Sequence, residues 1–529
     1  MYHDRTMPQK TYTAVEPNNK FLTLLNKKAR KSHWLVGVSP LALAACGGGG
    51  DTESSVAVVT GTSGADTFAN AAADQRFEGG LGDDVYNVSL SGSDTVLDTG
   101  GNDTIKIVWR DEANVRQVEE VYVQGEDLVF DMIGAANVIV LEGAFADETR
   151  IENVQYYHAA GNWGDDYVAK IFKFGEEISA DGTTDNLIVG TNEGETLSLL
   201  QGDIINASVY AAGGNDTITT GAGTQYIFGG MGNDVLDGGV GDDVINAGDG
   251  DDIVYMSPGA DIEDGGDGVD TLILGDWAGN YSGTINLETG ANFAAGGTDN
   301  ADHKAYNFEN ITIQHSGDMT VYGTSGDNII TTGNGSDTVY AGAGDDVINN
   351  NTSGTDYFDG GDGIDTYATD VSITADWRLE VDLEREYSGI EGQYGADLME
   401  TIINFENATI QSGVDALIMG DEKANVLTGG TQSDEIGGRS GSDTLTGNGG
   451  ADTFVFAQGE TGTDTITDFD LTEGDKLDLS SYGITSETAA EAAMSDVSGS
   501  VEVAINGTII ASITGLSVAE LSAADGWIA

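Results

Sequence analysis

The most regular feature of the sequence is an aliphatic residue that returns every ninth position between polar, glycine-rich turns. From residue 211 the chain reads AAGGNDTIT, TGAGTQYIF, GGMGNDVLD, GGVGDDVIN, AGDGDDIVY, MSPGADIED and GGDGVDTLI without a gap. The common frame is Gly-Gly-x-Gly-x-Asp-x-aliphatic-x. It predicts a tight turn followed by a very short strand whose middle residue points inward. These inward residues are Ile218, Ile227, Leu236, Ile245 and Val254.

Three further arrays share this frame, at residues 61–106, 323–368 and 420–455, and the first two of these contain one-residue slips. Two turns and two strands make one coil, and successive coils stack as parallel strands about 4.8 Å apart. The predicted fold is therefore all-β, with parallel β-roll (solenoid) arrays separated by strand-rich linker modules.

Charge adds a chemical requirement to this fold. The 529 residues include 89 Asp and Glu but only 20 Lys and Arg, for a formal net charge of −69. Such a surface excludes nucleic acid as a partner, because phosphate binding depends on Lys and Arg. It repels itself unless hard cations with oxygen ligands neutralise it. The single cysteine excludes an intramolecular disulfide.

The aspartates at the sixth position of the frame are the candidate ligands. Alternate repeats lie on the same side of the roll, so each aspartate is expected to pair with the one two repeats later. Calcium between successive rungs would turn a repulsive column into the main stabilising interaction, which makes this a calcium-stabilised roll. The complete pairs, which correspond to about nine sites, are Asp66/Asp84, Asp84/Asp103, Asp216/Asp234, Asp234/Asp252, Asp252/Asp270, Asp243/Asp261, Asp337/Asp356, Asp346/Asp365 and Asp434/Asp452.

Other rungs depart from this pattern. An amide takes the ligand position in four further pairs and should weaken them, although their partners, which include Asp94 and Asp443, stay candidate ligands; the amides are Gln75, Gln225, Asn328 and Asn425. Repeat 256–264 contains Pro258 in its turn and has Glu263 in place of an aliphatic residue, so Asp261 is the least secure ligand.

Seven tandem copies of this frame resemble the RTX (repeats-in-toxin), haemolysin-type calcium-binding nonapeptide repeat of type I secreted bacterial proteins. The resemblance implies calcium as the cofactor, type I secretion machinery as a partner, and an extracellular or bacterial cell-surface location. The C-terminal stretch, which ends in DGWIA, resembles the uncleaved export signal of such proteins. It would equally serve as a unit that closes the roll.

The remaining segments complete the domain plan. Asn307-Phe308-Glu309-Asn310 and Asn404-Phe405-Glu406-Asn407 repeat each other, which indicates a nested duplication with Phe in the core and Glu-Asn capping strands. The predicted domains are a basic leader at 1–50, arrays at 61–106, 187–273, 323–368 and 420–455, a strand-rich RTX-associated module at 107–186, β linkers at 274–322 and 369–419, and a C-terminal cap with the secretion signal at 456–529.

The leader carries a second targeting pattern. Its apolar run, from Trp34 to Ala45, is too short to span a bilayer and ends in Leu-Ala-Ala before Cys46. This resembles a bacterial lipoprotein signal with Cys46 as a lipid anchor. The alternative is a flexible, untranslocated head, which would agree better with type I export. No other segment is expected to cross a membrane.

Catalytic motifs are absent from the sequence. It contains no His-Glu-x-x-His and no Gly-x-Ser-x-Gly. Its five histidines are scattered, and His158, beside Tyr156 and Tyr157, is expected to pack in the core. The chain is therefore expected not to be an enzyme.

Three classes of function stay open. The first is a secreted or cell-surface structural or adhesive protein that contacts surface polysaccharide or copies of itself. The second is a secreted hydrolase-like enzyme with a site in 107–185, where the adjacent Asp165 and Asp166 are too ordinary a pair to support it. The third is a calcium-binding subunit of another secreted protein.

Overall fold

The computed structural model describes residues 57–69, 74–88, 93–101, 103–110, 118–124, 127–132, 138–142, 153–158, 167–173, 185–191, 194–198, 207–275, 282–290, 303–350, 354–370, 378–391, 399–411 and 413–529. They lie in one unit, Val56–Ala529. The expectations for the leader, including Cys46, fall outside these residues. In the part of the chain that is described, no helix has the length and apolar character needed to cross a membrane.

The first array begins a pair of parallel columns that the following module extends. The strands are β1 Ala57–Thr60, β2 Thr67–Ala69, β3 Gln75–Glu78, β4 Val85–Asn87, β5 Asp94–Leu97, β6 Thr104–Arg110, β7 Val118–Gln124, β8 Asp127–Met132, β9 Val138–Glu142, β10 Asn153–His158, β11 Tyr167–Lys173 and β12 Asp185–Val189. β7, β8 and β9 form an antiparallel meander that joins β5, and β10 and β11 form an antiparallel pair between β6 and β12. The module thus continues both sheets of the first array.

The second array is the most regular part of the chain. Its strands are β13 Thr196–Ser198, β14 Ala207–Tyr210, β15 Thr217–Thr219, β16 Gln225–Met231, β17 Val235–Asp237, β18 Val244–Asp249, β19 Ile253–Met256, β20 Ile262–Asp267 and β21 Thr271–Leu274. Leu236 pairs with Val254, and Ile227 pairs with Ile245, in parallel register. Both pairs are two repeats apart, as the frame predicts. β16, β18 and β20 are longer than the predicted three residues, because each strand continues into the glycines of the next turn, which also pair, as Gly230 does with Gly248.

The later arrays and both linkers continue the same two-sided winding. Their strands are β22 Gly283–Asn286, β23 Lys304–Tyr306, β24 Asn310–Ile313, β25 Met319–Tyr322, β26 Ile329–Thr331, β27 Thr338–Ala343, β28 Val347–Asn350, β29 Tyr357–Asp362, β30 Thr366–Thr369, β31 Arg378–Asp382, β32 Tyr387–Glu391, β33 Met399–Ile403, β34 Asn407–Ile410, β35 Ala416–Met419, β36 Val426–Thr428, β37 Glu435–Gly437, β38 Thr444–Thr446 and β39 Thr453–Val455. In the second linker, β31, β32 and β33 form an antiparallel meander between β29 and β35.

The C-terminal segment closes the solenoid. It contains β40 Asp464–Ile466, β41 Lys476–Asp478, β42 Met494–Val497, β43 Ser500–Ile505, β44 Thr508–Thr514, a 3-10 turn at Ser480–Tyr482, and the short helices α1 Glu487–Glu491 and α2 Val518–Leu521. β44 extends the parallel sheet from β40, and β43 and β42 then reverse direction. Trp527 of the DGWIA tail is buried, and its carbonyl accepts a hydrogen bond from the N–H of Leu477 at 2.9 Å. In the folded chain the tail is therefore part of the cap.

The described strands form four sheets, and the whole is a parallel β-solenoid of about 15 turns. One sheet runs through 16 strands, from β13 to β40 and then β44, β43 and β42. The core is a narrow row of inward side chains on each side, and all five inward residues predicted for the second array are buried. Phe308 and Phe405 are also buried, which confirms their predicted place in the core.

Candidate metal centres

Each sixth-position aspartate sits where a turn meets its strand, with its side chain directed along the column of coils. The structure brings together the predicted pairs, because the backbone N–H of the first aspartate donates to Oδ1 of the second at 2.7–2.9 Å in every one of the nine. Asp66 is half-buried, and the other predicted ligands are buried. The amide rungs have the same geometry, with 3.2 Å from Gln75 N to Asp94 Oδ1 and 2.8 Å from Asn425 N to Asp443 Oδ1.

The second oxygen of these carboxylates, Oδ2, is the candidate metal ligand. A buried Oδ2 atom without a hydrogen-bond partner among the described residues occurs in Asp84, Asp216, Asp234, Asp243, Asp252, Asp270, Asp337, Asp346, Asp365, Asp443 and Asp452. An ionised oxygen in this state is costly to bury. These carboxylates therefore need a positive charge from a bound cation.

The pKa values of these groups record the same cost. Burial raises the pKa of Asp234 to about 7, although the N–H of Asp216 stabilises the charged form, and the neighbouring carboxylates raise it further. Burial likewise raises the pKa of Asp243 to about 8, with Asp261 and Glu263 adding repulsion. Without a cation, burial in the folded state thus shifts these two carboxyl groups toward the protonated form.

The first glycine of each repeat leaves the space beside the free oxygen open. A Cβ at Gly229 would lie 2.3 Å from Asp234 Oδ2 and 2.4 Å from the backbone oxygen of Ala247, one coil further on. A Cβ at Gly265 would meet Asp270 Oδ2 at 2.7 Å and the backbone oxygen of Asn307 at 2.2 Å. The same small space thus holds a carboxylate oxygen from one coil and a carbonyl oxygen from the next.

This donor set fits calcium. Calcium prefers carboxylate and backbone carbonyl oxygens, and it tolerates irregular geometry. The unpartnered Oδ2 atoms and the carbonyls beside the first glycines are the groups that would hold it, and the ion would supply the missing positive charge between the coils. Its role there would be structural.

Sequence reasoning missed several members of the columns. Glu195 N donates to Asp216 Oδ1 at 2.7 Å, and Asp452 N donates to Asp475 Oδ1 at 3.0 Å. Asp443 N donates to Asp464 Oδ1 at 3.1 Å. The columns therefore run past the fourth array into the cap, and Asp452 has a carboxylate neighbour on both sides.

The repeated linker motif also belongs to the column. Glu309 Oε2 accepts from Asp270 N at 2.8 Å, and Glu406 Oε2 accepts from Asp365 N at 3.1 Å. The next residue caps the following strand in both copies, since Asn310 Oδ1 accepts from Ile329 N at 2.7 Å. We call the resulting continuous column the first stack; its ligand-position residues are Glu195, Asp216, Asp234, Asp252, Asp270, Glu309, Asn328, Asp346, Asp365, Glu406, Asn425, Asp443 and Asp464.

Two clusters contain further groups that the frame does not predict. In the first array, Asp98 lies with Asp84 and Asp103, their ligand atoms all within 4.8 Å of one another. Asp98 accepts a hydrogen bond from the hydroxyl of Tyr86, and burial raises the pKa of that tyrosine. An aspartate after the strand, rather than in the turn, thus adds a third carboxylate to this rung.

The second cluster surrounds Asp261, the rung that the sequence marks as unusual. His303 Nε2 lies 3.2 Å from Asp261 Oδ2 and 2.9 Å from Glu263 Oε1, and all three residues are buried. Burial lowers the pKa of His303, but the charges and hydrogen bonds of the two carboxylates outweigh it and raise the pKa to about 10.

His315 lies outside both clusters. His315 is buried, and its Nδ1 accepts from Gly317 N at 3.1 Å. The side chain of His158 and the residues Asp165 and Asp166 fall outside what the structure describes.

The fold and the stacked donors together define a calcium-binding parallel β-roll. The family model described as the RTX calcium-binding nonapeptide repeat (4 copies) matches residues 89–106, 202–236, 228–263, 320–351 and 419–454. The chain therefore carries RTX calcium-binding nonapeptide repeats, as the resemblance implied. A search of curated proteins finds no match to the chain.

Proposed function

We propose that this chain is a secreted or cell-surface structural or adhesive protein whose β-roll folds when it binds extracellular calcium. The observation that carries the proposal is the set of buried carboxylates whose Oδ2 atoms have no hydrogen-bond partner among the described residues. A fold that buries such groups is unfavourable without a cation. Where these carboxylates are ionised, the metal therefore decides whether the chain is folded.

The calcium dependence follows from mass action. A cation that binds the folded but not the unfolded chain stabilises the fold in proportion to the logarithm of its concentration. Extracellular calcium modules bind at roughly 10⁻⁴ to 10⁻³ M. We expect an expanded chain in the calcium-poor cytosol and a folded chain outside the cell.

Circular dichroism of the full chain tests this coupling. Strand content should rise cooperatively with calcium in the range of roughly 10⁻⁴ to 10⁻³ M. Magnesium at the same concentrations is the control, because it demands small octahedral sites and should produce much less structure. Equal strand content with a chelator and with millimolar calcium would contradict the proposal.

Export by type I machinery is the second part of the proposal. It is supported by the resemblance of the C-terminal stretch and by the expected unfolded state in the cytosol. Deleting residues 456–529 should trap the protein inside the cell, whereas deleting residues 1–50 should not. The opposite result would favour lipoprotein export through Cys46.

The surface role has its own test. If calcium holds the roll together at the cell surface, washing intact cells with a chelator should release the protein, and a magnesium wash should not.

We propose that the chain has no catalytic activity. Turnover of a hydrolase substrate by the purified chain, abolished by changes within 107–185, would instead support the enzyme alternative.

A further inference from the structure

On the side of the roll opposite the first stack, the column of ligand positions in the second array ends at a histidine. Ile262 pairs in register with Lys304, so His303 occupies the ligand position directly after Asp261. We call this column, which consists of Gln225, Asp243, Asp261 and His303, the second stack. In this column, Oδ1 of Asp243 accepts from the N–H of Gln225, and Oδ1 of Asp261 accepts from the N–H of Asp243, each at 2.8 Å.

Glu263 changes the chemistry at this end of the second stack. It takes the inward position that Ile245 has one coil earlier and Ala305 has one coil later. Its side chain is fully buried, Oε1 faces His303, and Oε2 has no hydrogen-bond partner among the described residues. A buried carboxylate in a row of aliphatic side chains is unfavourable unless a specific partner compensates it.

We propose that Asp261, Glu263 and His303 form a binding site for zinc or a similar borderline divalent cation, distinct from the calcium sites. The three ligand atoms lie within 4.8 Å of one another. Zinc bonds of 2.0–2.1 Å in a tetrahedron place ligand atoms about 3.3 Å apart. The separations of 3.2 Å and 2.9 Å from His303 Nε2 are already close to that value.

The ligand types and the charge balance favour zinc over calcium. Imidazole nitrogen suits zinc, whereas calcium takes six to eight oxygens. A divalent ion with neutral His303 and two carboxylates gives a cluster of zero net charge. A proton on His303 leaves one negative charge uncompensated, although it holds the three side chains together before the metal binds.

The nested duplication provides an internal comparison. Tyr357 pairs with Thr401, which places Glu400 after Asp356 as His303 follows Asp261. Phe358 has the inward position there, and Glu400 Oε2 accepts from Tyr367 and Asn350 at 2.7 Å each. In the second copy, neutral donors thus satisfy the buried carboxylate of Glu400. The first copy instead brings together side chains that can bind a metal.

The test uses the full chain, because the buried site has to be filled as the chain folds. The protein is unfolded, refolded in excess calcium with zinc chloride, desalted, and analysed for metal. The wild type should retain about one zinc ion, with an X-ray absorption spectrum that contains an imidazole ligand. His303→Gln and Glu263→Gln should each lower retention by at least tenfold, since changing even a residue that only supports a metal ligand typically lowers metal affinity by about 10- to 100-fold.

Two controls separate this site from other buried side chains. His315→Gln removes a buried histidine elsewhere, and Glu400→Gln removes the carboxylate at the equivalent position of the second linker. Both should retain zinc like the wild type. Calcium-induced strand content is measured for every variant, which keeps a folding defect distinct from a binding defect. Zinc that is absent from the folded wild type, or equal in folded His303→Gln, would overturn the proposal.

Discussion

Asp234 uses its two carboxylate oxygens for different purposes. Oδ1 fixes the register by accepting from Asp216 N at 2.8 Å, while Asp234 N donates to Asp252 Oδ1 at 2.7 Å. Oδ2 is buried and has no hydrogen-bond partner in the described part of the chain. The hydrogen bond thus orients the carboxylate before any metal binds, and the second oxygen is left for the ion.

Asp234→Asn should raise the calcium concentration at the folding midpoint. The amide keeps an oxygen but loses the charge, and we expect it to destabilise the calcium-bound fold by about 1–2 kcal/mol, a roughly 5- to 30-fold change in the ratio of folded to unfolded chain. Asp251→Asn is the matched control, because Asp251 is an exposed neighbour of Asp252, one coil further on, and the charge change is identical. Calcium titrations followed by circular dichroism compare the two; equal midpoints would argue against Asp234 as a ligand.

Gln225→Asp should have the opposite effect. Gln225 N already donates to Asp243 Oδ1 at 2.8 Å, so the rung has the backbone geometry of the aspartate pairs. An added carboxylate would complete a donor pair with Asp243 and lower the calcium midpoint. In chelator the same variant should be less stable than the wild type, since it adds a buried charge. Calorimetry with and without calcium measures both effects, and a uniform loss of stability would contradict this role.

At the scale of the coil, the first glycine of a repeat and the later ones meet different structural requirements. Gly230 and Gly232 have φ of 109° and 123°, which few other residues adopt. Gly229 has no such requirement, but a Cβ there would overlap both oxygens of the candidate site. The first glycine of the repeat is therefore needed for space alone. The later ones are needed for backbone conformation as well as for space, since a Cβ at Gly230 would lie 2.1 Å from the backbone oxygen of Ala212.

Gly229→Ala should weaken calcium-induced folding, because the methyl group takes the space between Asp234 Oδ2 and the Ala247 carbonyl. Gly326→Ala is the control: a Cβ there has its nearest neighbour, Thr324 Oγ1, at 3.9 Å. The control should be neutral or slightly stabilising, by about 0.4–1 kcal/mol, through the reduced entropy of the unfolded chain. Calcium midpoints that shift equally would refute this explanation of the first glycine.

The coil was predictable from the sequence because its signal is strictly periodic. Asp216, Asp234 and Asp252 are each 18 residues apart, and the same spacing sets the register. Glu309 follows Asp270 by 39 residues, and Asp475 follows Asp452 by 23. Loops of variable length place those residues, so no fixed spacing could identify them.

The same reason explains why the His303 cluster was missed. Glu263 appeared in the sequence only as a break in the aliphatic row, and His303 only as one of five scattered histidines. Their contact depends on the pairing of β20 with β23 across a long insertion. A combined signal existed, since a polar residue at an inward position requires a partner, but only the structure identifies that partner.

At the scale of the whole molecule, three arrays that look separate in the sequence share one column. Glu309 and Glu406 carry the first stack through both linkers, and the sheet that contains it is continuous over 16 strands. Folding of neighbouring coils should therefore be coupled, since each coil provides half of the next donor pair.

Acidification without calcium should increase strand content. The pKa of Asp216 and of Asp270 is raised to about 7 in the fold from an ordinary value near 3.8. Such groups favour the folded state at low pH, and this contribution is lost as the pH rises through the raised values. Calcium-free protein should thus gain structure when the pH is lowered from about 8 to about 5.5.

Salt provides the control for this pH dependence. About 0.5 M sodium chloride screens repulsion between exposed carboxylates, but it acts less on buried ones. The gain in strand content on acidification should persist in salt, as followed by circular dichroism. A gain that salt alone reproduces at pH 8 would assign the effect to the exposed charges instead.

The short rise of each coil has a mechanical consequence. One coil advances about 4.8 Å along the axis of the roll, whereas its 18 residues span about 60 Å when fully extended. Under tension, a coil that loses its ions would lengthen roughly twelvefold. A chain fixed at one end would then change from closely stacked coils into a long tether, and its reach from the attachment point would depend on the calcium around it.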